Sequence, residues 1–276
     1  MSDSAFPRAA RFLDESRARI ERHLSCALPP AEFAPKALHE AMRYAVLSGG
    51  KRLRPALSFA TAKALRADPE SVLPVAAAVE LVHAYSLVHD DLPAMDDDRE
   101  RRGQPTVHVK FGESIAILCG DALLAEAFGQ LARPEVPHEV IAELAAAAGS
   151  RALVGGQADD LRFRPELDAI LSIHERKTGA LFRFAVCGAA RLLQAPRLEH
   201  AALEGFACAY GRAFQLIDDL EDDAAGECSI LRVLEPSRVR ERAACELREA
   251  LACLDPLGEC AGALRAVGES LAGRLT

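Results

Sequence analysis

The acidic cluster over residues 90–98 offers the clearest chemistry in this sequence. The run reads DDLPAMDDD and places five carboxylates within nine residues, directly after an apolar stretch. Because like charges at this density cannot be packed away dry, two interpretations are open. The cluster either lies in water as a solvated helix end or is neutralised by a divalent cation. Oxygen ligands that leave room for water and phosphate suit Mg²⁺.

A second acidic cluster, DDLED over residues 218–222, follows another apolar stretch far downstream. In a helix, Asp218 and Asp222 lie one turn apart on one face, and Gln215 joins that face from three residues earlier. Two carboxylates in this arrangement can each ligate a cation and hold a polyanion between them. Neither cluster has His or Cys partners, which favours Mg²⁺ over zinc.

Three short basic sets accompany the two acidic clusters. They are GGKRLR over residues 49–54, RRG over residues 101–103, and KT at residues 177–178. Taken singly, each is best interpreted as a solubilising surface patch. Taken together with the carboxylates, they indicate a diphosphate ester bound through Mg²⁺, because carboxylates hold the metal while Arg and Lys bind phosphate oxygens.

His83 lies seven residues before Asp90 and therefore nearly on the same helix face. It is either part of the same site or a core histidine with a backbone partner, and its position alone leaves both open. His89 and His108 are interpreted as structural.

Composition and periodicity favour an all-α protein. Half of the 276 residues are hydrophobic, with no Trp and 5% aromatic residues. Ala and Leu make up much of this apolar content, and both favour helices, whereas strands prefer β-branched and aromatic residues. No sustained period-2 pattern occurs. Because no linker-like or low-complexity segment divides the chain, we predict a single domain over residues 1–276.

Charge and cysteine content restrict partners and location. The net charge of −8 disfavours a nucleic-acid partner. The eight cysteines form no Cys-x-x-Cys pair, which favours a reducing compartment. The N-terminus has no signal-like pattern, and no apolar run approaches the ~20 residues of a membrane span. These features predict a cytoplasmic protein without a membrane span.

Helical spacing and breakers locate the elements. Pro74 opens the helix that ends at the first acidic cluster, and the second cluster ends a long buried helix from residue 198. A helix over residues 138–153 is expected to end at Gly155-Gly156, and one over residues 166–192 to be interrupted near Lys177. Further helices are predicted over residues 8–27, 35–48, 56–66 and 113–131 and in the last fifty residues.

The motifs and their order resemble the trans-isoprenyl diphosphate synthases, and within them the bacterial farnesyl diphosphate synthase group. The resemblance rests on GGKRLRP at 49–55, HAYSLVHDDLPAMDDD at 83–98, RRG at 101–103, GGQ at 155–157, KTGAL at 177–181 and FQLIDD at 214–219. It covers roughly residues 20–222. It implies an isoprenoid synthase-type helical bundle around a central cavity, a homodimer, and three Mg²⁺ ions between two aspartate-rich motifs.

The resemblance assigns roles position by position. Metal ligands would be Asp90, Asp91, Asp96, Asp218 and Asp222, which with Lys177 would form the catalytic set. Isopentenyl diphosphate would be held by Lys51, Arg54, His83 and Arg102. The allylic diphosphate would be held by Arg101, Lys177, Thr178 and Gln215.

The implied reaction condenses isopentenyl diphosphate with an allylic diphosphate, either dimethylallyl or geranyl. Loss of pyrophosphate gives an allylic cation, which the isopentenyl double bond attacks. Tyr85 lies five residues before Asp90, about 7.5 Å further down the helix, with Ser86 more directly beneath Asp90. An aromatic residue at Tyr85's position goes with short products in this family, so we expect C15 farnesyl diphosphate, with C20 geranylgeranyl diphosphate second.

The sequence departs from the family's pattern after Asp222. The lysine- and glycine-rich loop expected there is shortened, Glu227 replaces a lysine, and no lysine occurs after Lys177. Arg232 and Arg238 are candidates to compensate. Two alternatives therefore stay open: a weakly active or non-catalytic subunit of a partner synthase, and a class I terpene cyclase-like enzyme. The intact isopentenyl diphosphate set disfavours a cyclase.

Overall fold

The computed structural model describes residues 5–221 and 228–275 of the chain. Within these ranges helices dominate the backbone and strands are almost absent, as the sequence predicted. The α-helices are α1 Ala5–Ala27, α2 Lys36–Leu47, α3 Leu53–Ala64, α4 Leu73–Asp90, α5 Val107–Phe111, α6 Glu113–Leu131, α7 His138–Ala148, α8 Leu153–Asp160, α9 Leu167–His174, α10 Ala180–Leu192, α11 Arg197–Glu221, α12 Pro236–Cys253 and α13 Gly262–Ala272. Short 3₁₀ turns occupy Pro69–Val72, Ile230–Arg232, Asp255–Ala261 and Gly273–Leu275.

Helix α4 is the central element of the bundle. Its residues from Pro74 to Val82 are all buried, and it packs against α3, α6 and α10. A helix that is apolar on every side belongs in the core of a protein. Pro74 stands in the first turn, where its missing N–H costs no hydrogen bond. The helix thereby directs its carboxyl end, Asp90, toward the first acidic cluster.

Helix α11 carries the second acidic cluster. It runs unbroken for 25 residues, as predicted, and packs against α10 and α12. Its buried face includes Phe206, Tyr210 and Ile217, which follow one another at helical spacing. Because Asp218 and Asp219 directly follow this apolar face, the packing of α11 fixes their position.

The strands found in the described residues form one short hairpin. Strand β1, Glu100–Arg101, pairs antiparallel with β2, Gln104–Pro105. Arg102 and Gly103 turn the chain with φ of 55° and 73°, as two-residue hairpin turns require. The hairpin carries the basic pair Arg101 and Arg102 directly after the first acidic cluster.

Two local features differ from or refine the sequence predictions. The expected helix over residues 138–153 ends earlier, at Ala148, and Gly155-Gly156 lies inside the separate helix α8. The predicted break at these glycines rested on their low helix propensity. Their presence inside α8 is instead explained by close packing. A Cβ on Gly156 would lie 2.5 Å from the backbone nitrogen of Lys177. The predicted interruption near Lys177 is confirmed as the π-helical turn Glu175–Gly179, named the π-turn below.

Two helical stretches are apolar and long enough to pass a length-and-composition test for membrane spans. They are Pro69–Asp90 and Glu113–Leu131. The sequence analysis had not identified either of them as an apolar run of this length. The first is 72% buried inside the protein, as expected for a core helix. The second is 39% buried and leaves Ile117 and Leu118 on the surface.

A buried ion pair supports the turn before α3. Arg52 adopts a left-handed conformation with φ of 47° and is 4% exposed. Its guanidinium donates to Glu80 of α4 at 2.7 Å and to the carbonyl of Val46. Lys51 and Arg54 therefore lie on either side of Arg52, whose position these contacts fix.

We predict that Glu80→Gln lowers the free energy of unfolding by about 3 kcal/mol, because it removes the buried carboxylate partner of Arg52 and leaves only the more exposed Glu21 at 3.5 Å. Urea denaturation measures this change. The matched control is Glu15→Gln, which breaks an exposed pair with Arg11 and should cost less than about 1 kcal/mol. Equal effects of the two substitutions would contradict a supporting role for the buried pair.

Candidate active site

The first acidic cluster folds back on the end of α4. Asp96 donates its backbone N–H to the carbonyl of Asp90 at 2.9 Å, so the turn expected after Pro93 is present. Burial raises the pKa of the Asp90 carboxyl to about 7; the Lys177 ammonium opposes this rise, and the Asp96 carboxylate adds to it. Burial likewise raises the pKa of Asp96. This crowding of partly buried carboxylates suits a cation.

Asp91 points elsewhere. It is 3% exposed and accepts a hydrogen bond from Arg101 Nε at 2.8 Å, and Arg101 Nη2 lies 2.6 Å from the same oxygen as an ion pair. Arg101 also contacts Asp98 at 3.2 Å. In this conformation Asp91 anchors the hairpin, and the charge of Arg101 is shared between two carboxylates. Metal binding by Asp91 and diphosphate binding by Arg101 stay predictions.

Lys177 projects from the π-turn toward the first cluster. Its ammonium pairs with Asp160 of α8 at 2.5 Å. Burial alone would lower the pKa of Lys177, but Asp160, Asp90 and Asp96 together raise it. The π-turn is held closely on two sides: Gly156 abuts Lys177, and a Cβ on Gly211 of α11 would lie 3.3 Å from Gly179. Sequence reasoning missed Asp160, although it follows the GGQ motif by one helical turn.

Thr178 leads into a hydrogen-bonded chain. Its hydroxyl donates to Gln215 at 2.7 Å, and the amide nitrogen of Gln215 donates to Asp219 at 2.8 Å. Asp219 is buried and also accepts from the backbone N–H of Ile230 at 2.7 Å. The structure thus joins the predicted residues Thr178 and Gln215 directly and continues from Gln215 to Asp219, for which the sequence analysis predicted no role.

The predicted isopentenyl diphosphate residues are distributed over the start of α3, α4 and the hairpin. Arg54 stacks over the ring of Phe182 at 4.6 Å, with its Nε buried and unpaired in the described residues. Burial lowers the pKa of His83 well below its usual value, and Arg54 and Arg102 lower it further, so His83 is neutral at pH 7. Lys51 is exposed. These side chains can bind a polyanion.

The Gly-Gly break positions Arg102. Its guanidinium donates to the carbonyl of Gly49, and a Cβ on Gly50 would lie 2.7 Å from it. Both glycines have positive φ, 90° and 139°, which other residues rarely adopt. The GG of the motif therefore has a packing reason in addition to its exposed amides.

The second cluster contains an arginine that sequence reasoning missed. Arg274 contacts Asp218 at 3.3 Å and Glu221 at 2.8 Å and lies over the ring of Phe214. Arg274 is 56 residues from Asp218, so no local spacing could have revealed this contact. The predicted ligand Asp222 lies outside the described residues, as do residues 223–227, where the family's loop is expected.

The two arginines proposed to compensate for that loop have other partners. Arg232 lies over the ring of Phe163 at 5.4 Å, and Arg238 pairs with Glu241 at 3.7 Å on the surface. Arg274 is a basic side chain placed directly against the described part of the second cluster.

The residues below Asp90 form the interface of α4 with α6. Tyr85 is 6% exposed and its ring lies edge-on to His89 at 5.8 Å. Ser86 donates to the carbonyl of His83 at 3.0 Å. His89 contacts the carbonyl of Ile117 at 3.0 Å, and the buried His108 contacts Thr106 at 3.1 Å, in agreement with their structural interpretation.

Comparison with known proteins settles the family. The polyprenyl synthetase family matches residues 35–230 of the chain. The chain belongs to this family. A farnesyl diphosphate synthase of Escherichia coli (strain K12) is 46% identical over 210 residues, which cover 72% of this chain and 70% of that protein. A geranylgeranyl diphosphate synthase of Cyanophora paradoxa is 41% identical over 221 residues, covering 76% and 73%.

Solved structures agree with this polyprenyl synthetase assignment. An apo FPP/GFPP synthase from Zymomonas mobilis superimposes with a TM-score of 0.87 at 38% identity, covering 95% of this chain and 97% of that one. The resemblance and the all-α isoprenoid synthase fold predicted from the sequence are both confirmed. No comparison tests the individual site residues or the single-domain boundary, which stay predictions.

Polyprenyl synthetases of this kind depend on Mg²⁺. Within the described residues no three His, Cys, Asp or Glu side chains gather into a complete metal site. The available donors are carboxylate oxygens of the two acidic motifs, and the pKa of Asp90 is raised first by burial and then by the nearby Asp96 carboxylate. Because Mg²⁺ takes few protein carboxylates and completes its shell with water and phosphate, these residues fit Mg²⁺ held jointly with a diphosphate.

We predict that Asp90→Asn stabilises the metal-free protein at pH 8. The folded pKa of about 7 exceeds the ordinary 3.8, so the stability that Asp90 contributes is complete below about pH 4 and is lost as pH rises to 7. Thermal unfolding with EDTA from pH 4 to pH 8 measures this. The variant should match wild type at pH 4 and unfold several degrees higher at pH 8.

Added Mg²⁺ gives the complementary measurement. It should raise the unfolding temperature of the wild type at pH 8 and that of Asp90→Asn by much less. Asp14→Asn, at an exposed residue, is the control and should follow the wild type throughout. A variant that unfolds like wild type at both pH values would contradict the assignment of this pH dependence to Asp90.

Proposed function

We propose that this chain is a trans-prenyltransferase that condenses isopentenyl diphosphate with dimethylallyl or geranyl diphosphate. The product is C15 farnesyl diphosphate, with C20 geranylgeranyl diphosphate as the second expectation. The observation that carries the proposal is the placement of cations against both acidic motifs in a polyprenyl synthetase fold. Lys177 lies against Asp90 and Asp96, and Arg274 against Asp218.

Two separate diphosphate sites distinguish a condensation from a cyclisation. Lys51, Arg54, His83 and Arg102 would hold isopentenyl diphosphate, and Arg101, Lys177, Thr178 and Gln215 the allylic substrate. The unpaired Nε of Arg54 supports the first assignment, because a buried guanidinium N–H without a partner is costly and a phosphate oxygen would satisfy it. A cyclase has no second diphosphate to hold.

Electrostatics supply most of the catalysis. Asp90, Asp96 and Asp218, with Asp91 and Asp222, would hold Mg²⁺, as three ions by resemblance. When bound, Mg²⁺ would offset the negative charge of the diphosphate group and so favour the departure of pyrophosphate from the allylic carbon. Lys177 adds a fixed positive charge beside the same oxygens.

The covalent steps balance within the two substrates. The allylic C–O bond breaks, and pyrophosphate leaves with its electron pair. The isopentenyl double bond then attacks the allylic cation and forms the new C–C bond. Pyrophosphate takes the proton that is lost, since the site residues offer no evident protein base. Apolar side chains of α4 and α6 keep water from the cation.

We also propose a homodimer that acts in the cytoplasm. The surface of α6 exposes Ile117 and Leu118 at 47% and 52%, and Val109 lies nearby in sequence at 38%. A second copy of α6 would cover this apolar surface, as exposed apolar patches of this kind mark interfaces. The mass of the protein in solution tests the dimer. The cytoplasmic location is supported by bacterial relatives that are soluble enzymes.

The decisive experiment is an assay of the purified chain with Mg²⁺, geranyl diphosphate and labelled isopentenyl diphosphate. Labelled farnesyl diphosphate is the expected product. Hydrocarbon without isopentenyl uptake would instead indicate a cyclase. Turnover only after another synthase is added would indicate a partner subunit, the alternative that the sequence after Asp222 left open.

We predict that Tyr85→Ala lengthens the product from C15 toward C20. The ring of Tyr85 is buried about one and a half helical turns before Asp90, where it would limit the length of a growing chain. Chromatography of the dephosphorylated products measures their length. Tyr85→Phe keeps the ring and should keep C15. An unchanged C15 product from Tyr85→Ala would remove Tyr85 as the floor of the cavity.

A further inference from the structure

The hairpin of β1 and β2 has a backbone carbonyl directed away from its own strands. The pair Arg101–Gln104 closes the turn. Two residues further from the turn, the Thr106 N–H donates to the Arg99 carbonyl at 3.1 Å. Pro105 lies between these two pairs, where the backbone groups of an antiparallel ladder point outward. Its carbonyl therefore faces away from β1 and needs a partner in another element.

Tyr44 of α2 supplies that partner. Its hydroxyl donates to the Pro105 carbonyl at 2.7 Å. The ring of Phe111 lies edge-on to the Tyr44 ring with centroids 5.5 Å apart, and the Lys110 ammonium lies 3.7 Å from the Tyr44 centroid. Because Lys110 and Phe111 both belong to α5, Tyr44 joins α2, α5 and the hairpin, and its ring is held in one orientation.

Other contacts of the hairpin use groups that the substrates would need. The Arg102 guanidinium donates to the Gly49 carbonyl, and that of Arg101 donates to Asp91. Both guanidiniums are predicted to bind diphosphate, and an N–H that donates to a phosphate oxygen gives up its protein partner. The Tyr44 hydroxyl is uncharged and faces a backbone carbonyl, so its hydrogen bond can persist while a substrate binds.

Packing alone does not fix the distance between the hairpin and α2. A cavity of about 50 Å³ lies between the hairpin, α2 and α4, and its walls include Tyr44, Val88, Val107 and both hairpin arginines. Directional contacts must therefore set that distance. It matters for binding because α2 ends at Leu47 and leads directly into the basic segment over residues 49–54.

We propose that Tyr44 is a positioning residue for isopentenyl diphosphate. It holds the hairpin so that Arg102 and the basic segment over residues 49–54 face the same diphosphate. This role rests on the proposed prenyltransferase function. Groups that are already held in place bind an anion more tightly, because no ordering of the hairpin is then needed on binding.

Tyr44→Phe tests this role, because it removes the hydroxyl and keeps the ring between Phe111 and Lys110. We expect the KM for isopentenyl diphosphate to rise about fivefold, as for the loss of one hydrogen bond. Calorimetric titration with isopentenyl diphosphate should show the same increase in Kd. The kcat and the KM for geranyl diphosphate should change by less than about twofold, because Arg101 keeps its own contact with Asp91. Equal increases in both KM values would overturn the assignment to isopentenyl diphosphate.

A double-mutant cycle shows whether Tyr44 acts through Arg102. Arg102→Ala removes the guanidinium that the hairpin presents and should itself raise the KM for isopentenyl diphosphate. Tyr44→Phe should then add less than about a twofold further increase, because the group that it positions is gone. Multiplicative increases in the double variant would overturn the action of Tyr44 through Arg102.

Ser48→Ala is the matched control. The Ser48 hydroxyl donates to the Tyr44 carbonyl in the last turn of α2, so its loss disturbs the same helix end and leaves the bond to Pro105 in place. It should keep the KM for isopentenyl diphosphate, and a rise equal to that of Tyr44→Phe would overturn the proposal. A wild type without condensation activity would contradict the proposed function itself. An active wild type whose Tyr44→Phe variant keeps its KM would contradict the role of Tyr44 alone.

Discussion

The rest of the site depends on one electrostatic constraint: both acidic clusters lie at the carboxyl end of a helix. Helix α4 ends at Asp90 and α11 at Glu221. The backbone dipole makes that end negative, so carboxylates there are destabilised twice, by the helix and by one another. Each end must therefore be given positive charge. The structure supplies Lys177 and Arg101 at the first and Arg274 at the second.

These cations come from short irregular elements, whereas the carboxylates come from long helices. Lys177 lies on the π-turn, Arg101 on the hairpin and Arg274 on a 3₁₀ turn. Long helices fix the carboxylates through extensive packing, which a site that must hold metal needs. A π-turn brings an extra residue to the surface of a helix and is common at functional sites. Here it lets both Lys177 and Thr178 face the site.

The local sequence pattern predicted those features of the fold that depend on residues close together in the chain. The apolar runs located α4 and α11, and Pro93 predicted the fold-back that brings Asp96 to Asp90. Propensity failed at Gly155-Gly156, because those glycines serve tertiary packing against the π-turn. It also could not find Asp160 or Arg274, whose partners are distant in sequence. No spacing rule states which way a carboxylate turns when its partner is a tertiary contact.

Each Asp-Asp pair divides its work in the same way. Adjacent residues on a helix point about 100° apart, so only one of the pair can face the site. Asp90 faces Lys177, while Asp91 turns to Arg101 and anchors the hairpin. Asp218 faces Arg274, while Asp219 turns inward to Gln215 and Ile230. In this structure the second aspartate of each pair thus supports a neighbouring segment, the hairpin at Arg101 in the first motif and the backbone at Ile230 in the second. In this structure the two carboxylates of each DD pair therefore point to different partners, because helical geometry turns adjacent side chains about 100° apart.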